Sequence, residues 1–139
     1  MEMMRIMPAF DGYDFFIVTE RNAASRSIVA PYRHFFLMQQ ERRSATFAFR
    51  FLLNILMSAW IVIIERPRTI VCTGAGATYP MCRLGKLSGA KVIYIESFAK
   101  VDSPSVTGKM VYPFADHFLV QWPEMLKVYP KARHEGTVY

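Results

Sequence analysis

Thr69-Ile-Val-Cys-Thr-Gly-Ala-Gly-Ala-Thr-Tyr-Pro80, with Lys91-Val-Ile-Tyr-Ile-Glu-Ser-Phe-Ala99 close behind it, decides the fold. In the first stretch a short apolar run rich in β-branched residues ends in a Gly-x-Gly turn, and a helix is expected from Thr78 or Tyr79. Strand, glycine loop, helix is the unit with which α/β proteins hold a phosphate or another anion. Gly74 and Gly76 admit positive φ and close backbone approach, and the amides at the helix start carry partial positive charge. The same pattern closes many turns that bind nothing, and from these residues alone both readings stand.

On either side of that unit, strands and helices alternate. Strands are expected at 14–19, 34–38, 69–73, 91–95 and 117–121, with a further one at 137–139. Helices are expected as a remnant at 1–10, ended by Pro8 or by Asp11-Gly12, then at 42–66, closed by Pro67, and at 78–88, stopped by Gly89. Another opens at Ser103-Pro104, with Pro in its first turn, and runs to about Asp116 with a bend at Pro113; a short one covers 123–129. Residues 20–31 read as a polar loop. This order predicts an α/β, Rossmann-like parallel sheet with helices on both faces, in one domain over 1–139.

A chain of 139 residues can bury one core, and 53% hydrophobic with 14% aromatic residues excludes a disordered chain. Mean hydropathy is +0.16, high for a freely soluble protein. The 17 basic against 11 acidic residues give a net charge of +6, which suits an anionic partner such as phospholipid headgroups or a pyrophosphate-linked substrate. No Lys/Arg run or interleaved basic–aromatic motif is present, so nucleic acid is not expected. Cys72 and Cys82 make no metal site or disulfide framework and read as small apolar core residues of a reducing compartment. The first residues, Met-Glu-Met-Met-Arg, lack the apolar core of a secretory signal, so a cytoplasmic location is expected.

The helix expected at 42–66 carries more apolar surface than a sheet can cover. At about 100° per residue, Arg43, Arg50, Asn54, Ser58 and Glu65 fall on one narrow stripe, and Phe49, Leu52, Leu53, Leu56, Trp60 and Ile63 lie among the apolar remainder. Arg42, Arg43, Arg66 and Arg68 flank it. The uncharged part, 51–64, falls short of the roughly twenty residues that span a bilayer. An interfacial helix fits better, with Arg43, Phe51, Trp60 and Arg66 meeting an anionic membrane surface. Burial by a partner subunit is the alternative, and both stand.

Thr73-Gly-Ala-Gly-Ala-x-x-Pro80, Tyr94-Ile-Glu-Ser-Phe-Ala99 and Ser105-x-Thr-Gly-Lys-Met-Val-Tyr-Pro-Phe-Ala-Asp-x-Phe-Leu-Val-Gln-Trp-Pro-Glu124 together resemble one family closely. It is the membrane-associated subunit of the two-part N-acetylglucosaminyltransferase that extends dolichol-linked sugars, with its bacterial capsular and exopolysaccharide counterparts. The likeness runs the length of the chain and is densest from Ile70 to Pro130. It implies the amino-terminal, acceptor-side half of a GT-B glycosyltransferase, peripherally bound at the cytoplasmic face of the membrane, with the donor-binding half on a separate partner chain. No cofactor or metal is expected. Gly74, Ala75, Gly76, Thr78, Ser97, Ser105, Thr107 and Gly108 would face a lipid-pyrophosphate acceptor. In that family a strand and a Gly-Gly-His loop precede the helix that here begins at Met1. Either the start is misassigned or the chain is an amino-terminally truncated product, and the expectation is a domain whose two strands flanking the lost one keep unpaired edges.

A sugar transferase must deprotonate an acceptor hydroxyl and stabilise a leaving diphosphate, so carboxylates and imidazoles at the carboxyl ends of strands are the candidates. Glu96 directly follows strand 91–95 and is the best placed catalytic group; its structural reading, capping a helix or pairing with Lys100, stands beside it. Asp102 reads as a helix-start residue, and Asp116 as a structural partner of Lys109. His34, His117 and His134 share no spacing and are assigned no ligand or base role. Two rivals to the transferase subunit remain. One is a non-catalytic anchor that only places a catalytic partner. The other, a dinucleotide oxidoreductase fragment, is weakened because Gly74-Ala-Gly-Ala-Thr-Tyr lacks the third glycine of that fingerprint.

Overall fold

Every strand pairing is parallel, and the strands fall into two sheets with a gap between them. The computed structural model describes residues 2–139. In chain order the elements are α1 (Glu2–Arg5), a 3-10 turn (Met7–Phe10), β1 (Ile17–Glu20), α2 (Ala23–Val29), β2 (His34–Leu37) and α3 (Phe47–Glu65). Then come β3 (Thr69–Cys72), a 3-10 turn (Gly76–Thr78), α4 (Tyr79–Leu87), β4 (Lys91–Ile95), α5 (Val106–Val111), β5 (His117–Val120), a 3-10 helix (Pro123–Lys127) and β6 (Arg133–His134). The expected α/β, Rossmann-like class is the class observed.

β3, β4, β5 and β6 form a four-stranded sheet in sequence order, with Thr69 opposite Lys91 and Ile93 opposite His117. Its core joins Val92, Tyr94, Phe118 and Val120 from the strands to Cys82 of α4, Val111 of α5, and Met125 and Tyr129. β1 and β2 form the second sheet, covered by α3 and α4 through Leu37, Ile61, Val62, Ala77 and Met81. β1 and β3 run in the same direction. At their carboxyl ends, Glu20 accepts a hydrogen bond from the backbone of Ala77, in the turn after β3. At their amino ends, Ile17 N–H donates to the carbonyl of Arg33. The Arg33 guanidinium in turn pairs at 2.7 Å with Glu65, from which Arg66, Pro67 and Arg68 lead into β3. Among the described residues no backbone hydrogen bond joins β1 to β3.

α3 sits the opposite way round from a simple amphipathic helix. Asn54 and Ser58, from its polar stripe, are fully buried, while Leu52, Leu56, Trp60, Ile63 and Ile64 are more than half exposed. Asn54 explains the orientation. Its Oδ1 accepts from Met38 N–H at 2.8 Å and its Nδ2 donates to Met38 C=O at 2.9 Å, which satisfies a backbone unit just past the end of β2. The helix begins at Phe47, five positions later than expected (47 − 42), and ends where Arg66 adopts a left-handed conformation (φ 46°) ahead of Pro67. At 19 residues and a mean hydropathy of 2.1 it is long and apolar enough to cross a membrane by length and composition alone.

Several boundaries differ from those expected. The span 20–31 is not a loop throughout: Ala23–Val29 is helical, begun by a reciprocal cap in which Asn22 Oδ1 accepts from Ser25 N–H and Ser25 Oγ from Asn22 N–H. The helix expected from Ser103 to Asp116 spans only Val106–Val111. Ser105 caps it through Gly108 N–H, and it stops short of Pro113. Asp102 is exposed and outside that helix, and the strand expected at 137–139 is absent, its place on the sheet edge taken by Arg133–His134. Asp116 pairs not with Lys109 but with Lys86 at 2.7 Å, and its second oxygen accepts from Val92 N–H.

Candidate functional site

The glycine turn, the loop after β4 and the start of α5 come together at the carboxyl end of the larger sheet. Gly74 has φ 89°, and a Cβ there would lie 3.4 Å from Tyr94 Oη and 3.9 Å from the Cβ of Ser97. Gly76 is approached by Gln40 Oε1, Thr107 Oγ1 and Arg42 Nη2, each within 3.8 Å of where its Cβ would stand. Thr78 turns its hydroxyl to the carbonyl of Ala75 at 2.6 Å and to the Sγ of Cys72 at 3.3 Å. The expected set Gly74, Ala75, Gly76, Thr78, Ser97, Ser105, Thr107 and Gly108 is thus split between two tasks. Gly74, Ala75 and Gly76 border the open side, whereas Thr107 and Gly108 are buried and Ser105 caps α5.

Glu96 is fully buried. Its Oε1 accepts from Ser97 N–H at 3.0 Å, and its Oε2 accepts from Ser105 N–H and from the Tyr129 hydroxyl, both at 3.1 Å. A buried carboxylate is tolerated where donors surround it in this way. Of its two structural readings, the tie to a helix start is the one observed, since Ser105 is the cap residue of α5. Among the described residues no ion pair to Lys100 forms. Burial pushes the Tyr129 hydroxyl well above its ordinary range, helped by the charge and hydrogen bond of Glu96. Burial raises Tyr94 in the same way, so both phenols act as neutral donors or acceptors.

The Gln121-Trp122 signature does structural work at this end. Gln121 Nε2 donates to the Glu96 carbonyl at 2.9 Å and its Oε1 accepts from Val138 N–H, while Trp122 Nε1 donates to Phe98 C=O at 2.7 Å. These bonds lock the loop after β4 to the loop after β5. Glu2, which sequence reasoning passed over, joins them: Oε1 accepts from Phe98 N–H at 2.8 Å and from Ser97 Oγ at 3.1 Å. Tyr129, Gln40 and Arg42 were missed as well. Each is distant in sequence from the motif it serves, so no local pattern flags it.

A cleft of about 1240 Å³ runs from Phe15, Arg33 and Glu65 at one end to Gly74 and Ser97 at the other, between β1 and β3. Glu20 lines it, its carboxyl group raised above the usual range by burial and partly restored by the Gln40 and Ala77 amides. Cys72 and Cys82 line it too. A hydrogen bond between the two thiols lowers Cys72 and raises Cys82. Both are buried and free, in keeping with the apolar core role expected of them. Of the residues expected at a membrane, Trp60 is exposed on the outer face of α3, Arg43 and Arg66 flank the helix in exposed positions, and Phe51 is half-buried and stacked on Phe47. Among the described residues no group of His, Cys, Asp and Glu is placed to hold a metal ion.

The fold is a Rossmann-like domain of the kind seen in MurG of Acinetobacter baumannii. The two structures superpose with a TM-score of 0.73 over 88% of this chain and 38% of that one, at 10% sequence identity. The chain belongs to the family described as "Oligosaccharide biosynthesis protein Alg14 like", which matches residues 2–138. It is 43% identical over 77 residues to the UDP-N-acetylglucosamine transferase subunit alg14 of Schizosaccharomyces pombe. It is 37% identical over 79 residues to the human protein of the same description. Each match takes in 52% of this chain and 37% of the relative's own length.

Proposed function

We propose that this chain is the acceptor-side, membrane-recruiting subunit of a split glycosyltransferase that moves N-acetylglucosamine from a nucleotide donor to a lipid-pyrophosphate acceptor. A separate donor-binding chain supplies the nucleotide site. The observation that carries the reading is the orientation of α3: Asn54 is turned inward to hold Met38, and an apolar face flanked by Arg43 and Arg66 is turned outward. Such a face suits the headgroup boundary of an anionic, cytoplasmic-side membrane, where a lipid-linked acceptor resides. The Gly74–Gly76 turn, with Ser97 beside it, is the part of the strand-end site open to the acceptor's phosphates. Whether the finished glycan is a capsule, an exopolysaccharide or a protein-linked oligosaccharide is set by the partner and the acceptor.

Glu96 enters this reading as a positioning residue that holds the Ser97 loop and the start of α5. Its buried, fully bonded carboxylate favours the second reading, a subunit that places acceptor and partner without contributing an acid or base of its own. The test is reconstitution. With a radiolabelled UDP-N-acetylglucosamine donor, a lipid-pyrophosphate acceptor and vesicles, the chain alone transfers no sugar, whereas the chain with a donor-binding partner does. Transfer by the isolated chain would overturn the division of labour.

A further inference from the structure

We infer that the strap after β2 and the start of α5 close on Gly76 to form a seat for the diphosphate of a lipid-linked substrate, with Arg42 as its cation and Gln40 and Thr107 as its hydrogen-bonding walls. The inference rests on the transferase reading and deepens it by assigning residues to the acceptor's charged group. A Cβ built on Gly76 would have as its nearest neighbours from elsewhere in the chain Gln40 Oε1 at 3.7 Å, Thr107 Oγ1 at 3.7 Å and Arg42 Nη2 at 3.8 Å. Three polar side-chain ends from two separate segments thus converge on one glycine, and no carbon atom comes nearer. Gly76 has no positive φ, so its backbone would take a side chain without strain; what the missing Cβ leaves is room. None of these four residues lines the cleft between β1 and β3.

The hydrogen-bonding capacity that meets at Gly76 is unused. Thr107 is only 4% exposed, yet its hydroxyl has no hydrogen-bond partner among the described residues. Gln40 Nε2 is buried and also without a partner. Turning that amide over exchanges its oxygen and its NH2, so Gln40 can aim a donor at Gly76. Arg42 is exposed and forms no ion pair among the described residues. A guanidinium fork beside an amide and a hydroxyl suits an oxyanion, and bonds from the guanidinium to phosphate are charge-assisted. Gly74, Gly76 and Ser97, on the open side of the site, bring no charge of their own, so Arg42 supplies what the turn lacks. Glu20 accepts from the backbone N–H groups of Gln40 and Ala77, which ties the strap to the turn. The strap is fastened to α3 as well: Asn54 brackets Met38, and Arg50 Nη1 donates to the Gln39 carbonyl at 3.2 Å. The cationic seat and the exposed apolar face of α3 are therefore carried on one unit. A ligand with a diphosphate head and an apolar tail matches both, whereas a free diphosphate matches the head alone.

The test is calorimetric titration of the full chain, with no partner and no sugar donor, using farnesyl diphosphate, inorganic pyrophosphate and farnesol as probes. Farnesyl diphosphate is expected to bind at least about tenfold more tightly than either of the others. Arg42→Ala should weaken it at least about tenfold, and Arg42→Lys by less, since lysine keeps the charge but not the planar fork. Gly76→Ala puts a methyl group in the seat at ordinary contact distances, so it should weaken binding to a similar degree with the melting temperature unchanged. If either variant does not fold, Thr107→Val takes its place, with a loss of roughly threefold expected from the missing hydroxyl. Undiminished binding by the variants, or none by the parent, would overturn the seat. Inorganic pyrophosphate binding as tightly as farnesyl diphosphate, and through Arg42, would overturn the lipid-linked source in favour of a free diphosphate. Farnesol binding as tightly would overturn the seat in favour of contact with the tail, and displacement of the probe by phosphatidylserine vesicles would assign it to bulk headgroups instead. The readout needs no sugar transfer, so the two readings fail separately. A reconstituted pair that transfers nothing while Arg42-dependent binding persists refutes the transferase reading, and transfer with binding independent of Arg42 refutes the seat.

Discussion

Gly108 closes directly against Glu96: a Cβ at position 108 would overlap Glu96 Oε2 and crowd both the Tyr129 hydroxyl and Ser105 Oγ. The smallest residue, in the first turn of α5, is therefore what lets a buried carboxylate serve a strand end, a helix cap and a distant tyrosine together. Gly108→Ala is expected to destabilise the chain by about 2–3 kcal/mol, even though Ala is the better helix former, because the neighbours are fixed by hydrogen bonds. Urea unfolding measures it; a stabilised Gly108→Ala variant would show that the contact relaxes freely.

Glu96→Gln keeps the shape but turns an NH2 donor toward Ser97 N–H, or toward Ser105 N–H and the Tyr129 hydroxyl. A loss of about 1–3 kcal/mol is expected from the facing donors. In the reconstituted transferase, turnover per assembled complex should change little if Glu96 only positions the loop. A fall of about a hundredfold with assembly and stability intact would make it a general acid or base after all.

Asn54→Ala leaves the N–H and C=O of Met38 without their partner beneath α3. The expected cost is about 2–4 kcal/mol by chemical denaturation, and Asn54→Leu should not rescue it, since the missing interaction is polar. Stability equal to that of the parent would mean the helix can rotate its stripe outward.

The outer face of α3 should bind anionic vesicles in a salt-dependent way. Leu56→Ser with Ile63→Ser should weaken flotation by at least about tenfold, as each removes exposed apolar surface without touching the core. Phe51→Ser should weaken it less and destabilise more, because that ring is half-buried against Phe47. Equal flotation of the parent and the double variant would place the lipid contact elsewhere, and resistance to both salt and carbonate would indicate a spanning helix.

The bond to Lys86, and then that to Val92 N–H, lowers the Asp116 carboxyl below its ordinary value. A carboxyl lowered on folding adds stability above its unfolded value, near about pH 4, and loses it as pH falls through the folded one. Asp116 lies at the surface with its side chain partly exposed, so Asp116→Asn should cost about 1 kcal/mol or less at pH 7 and nothing near pH 2. A difference that grows on acidification would contradict the assignment.

The local pattern of the chain was enough for its class and for four of its strands, while β1 began three positions later than expected and β6 was missed. Lys91–Ile95 was legible to the residue, and β2, β3, β5 and α4 to within one or two positions, because β-branched runs bounded by Gly and Pro report backbone preference directly. α2 was not, since its reciprocal Asn22–Ser25 cap sits in a polar stretch with little apolar periodicity.

What only the tertiary structure decided concerns residues whose partners lie far along the chain. Periodicity placed Asn54 and Ser58 on one stripe of α3 but could not say which way that stripe faced; the unpaired backbone of Met38 decided it. The order Glu96, Ser97, Phe98 was plain in sequence. That Glu96 is buried depends on Ser105, Gly108 and Tyr129 arriving from other elements. Likewise Gln121 and Trp122 were visible as a signature, while their task of tying two loops together exists only once β4 and β5 lie side by side. Backbone preference is a property of a few neighbouring residues. Burial and the sharing of donors are properties of surfaces that meet only after the chain has folded.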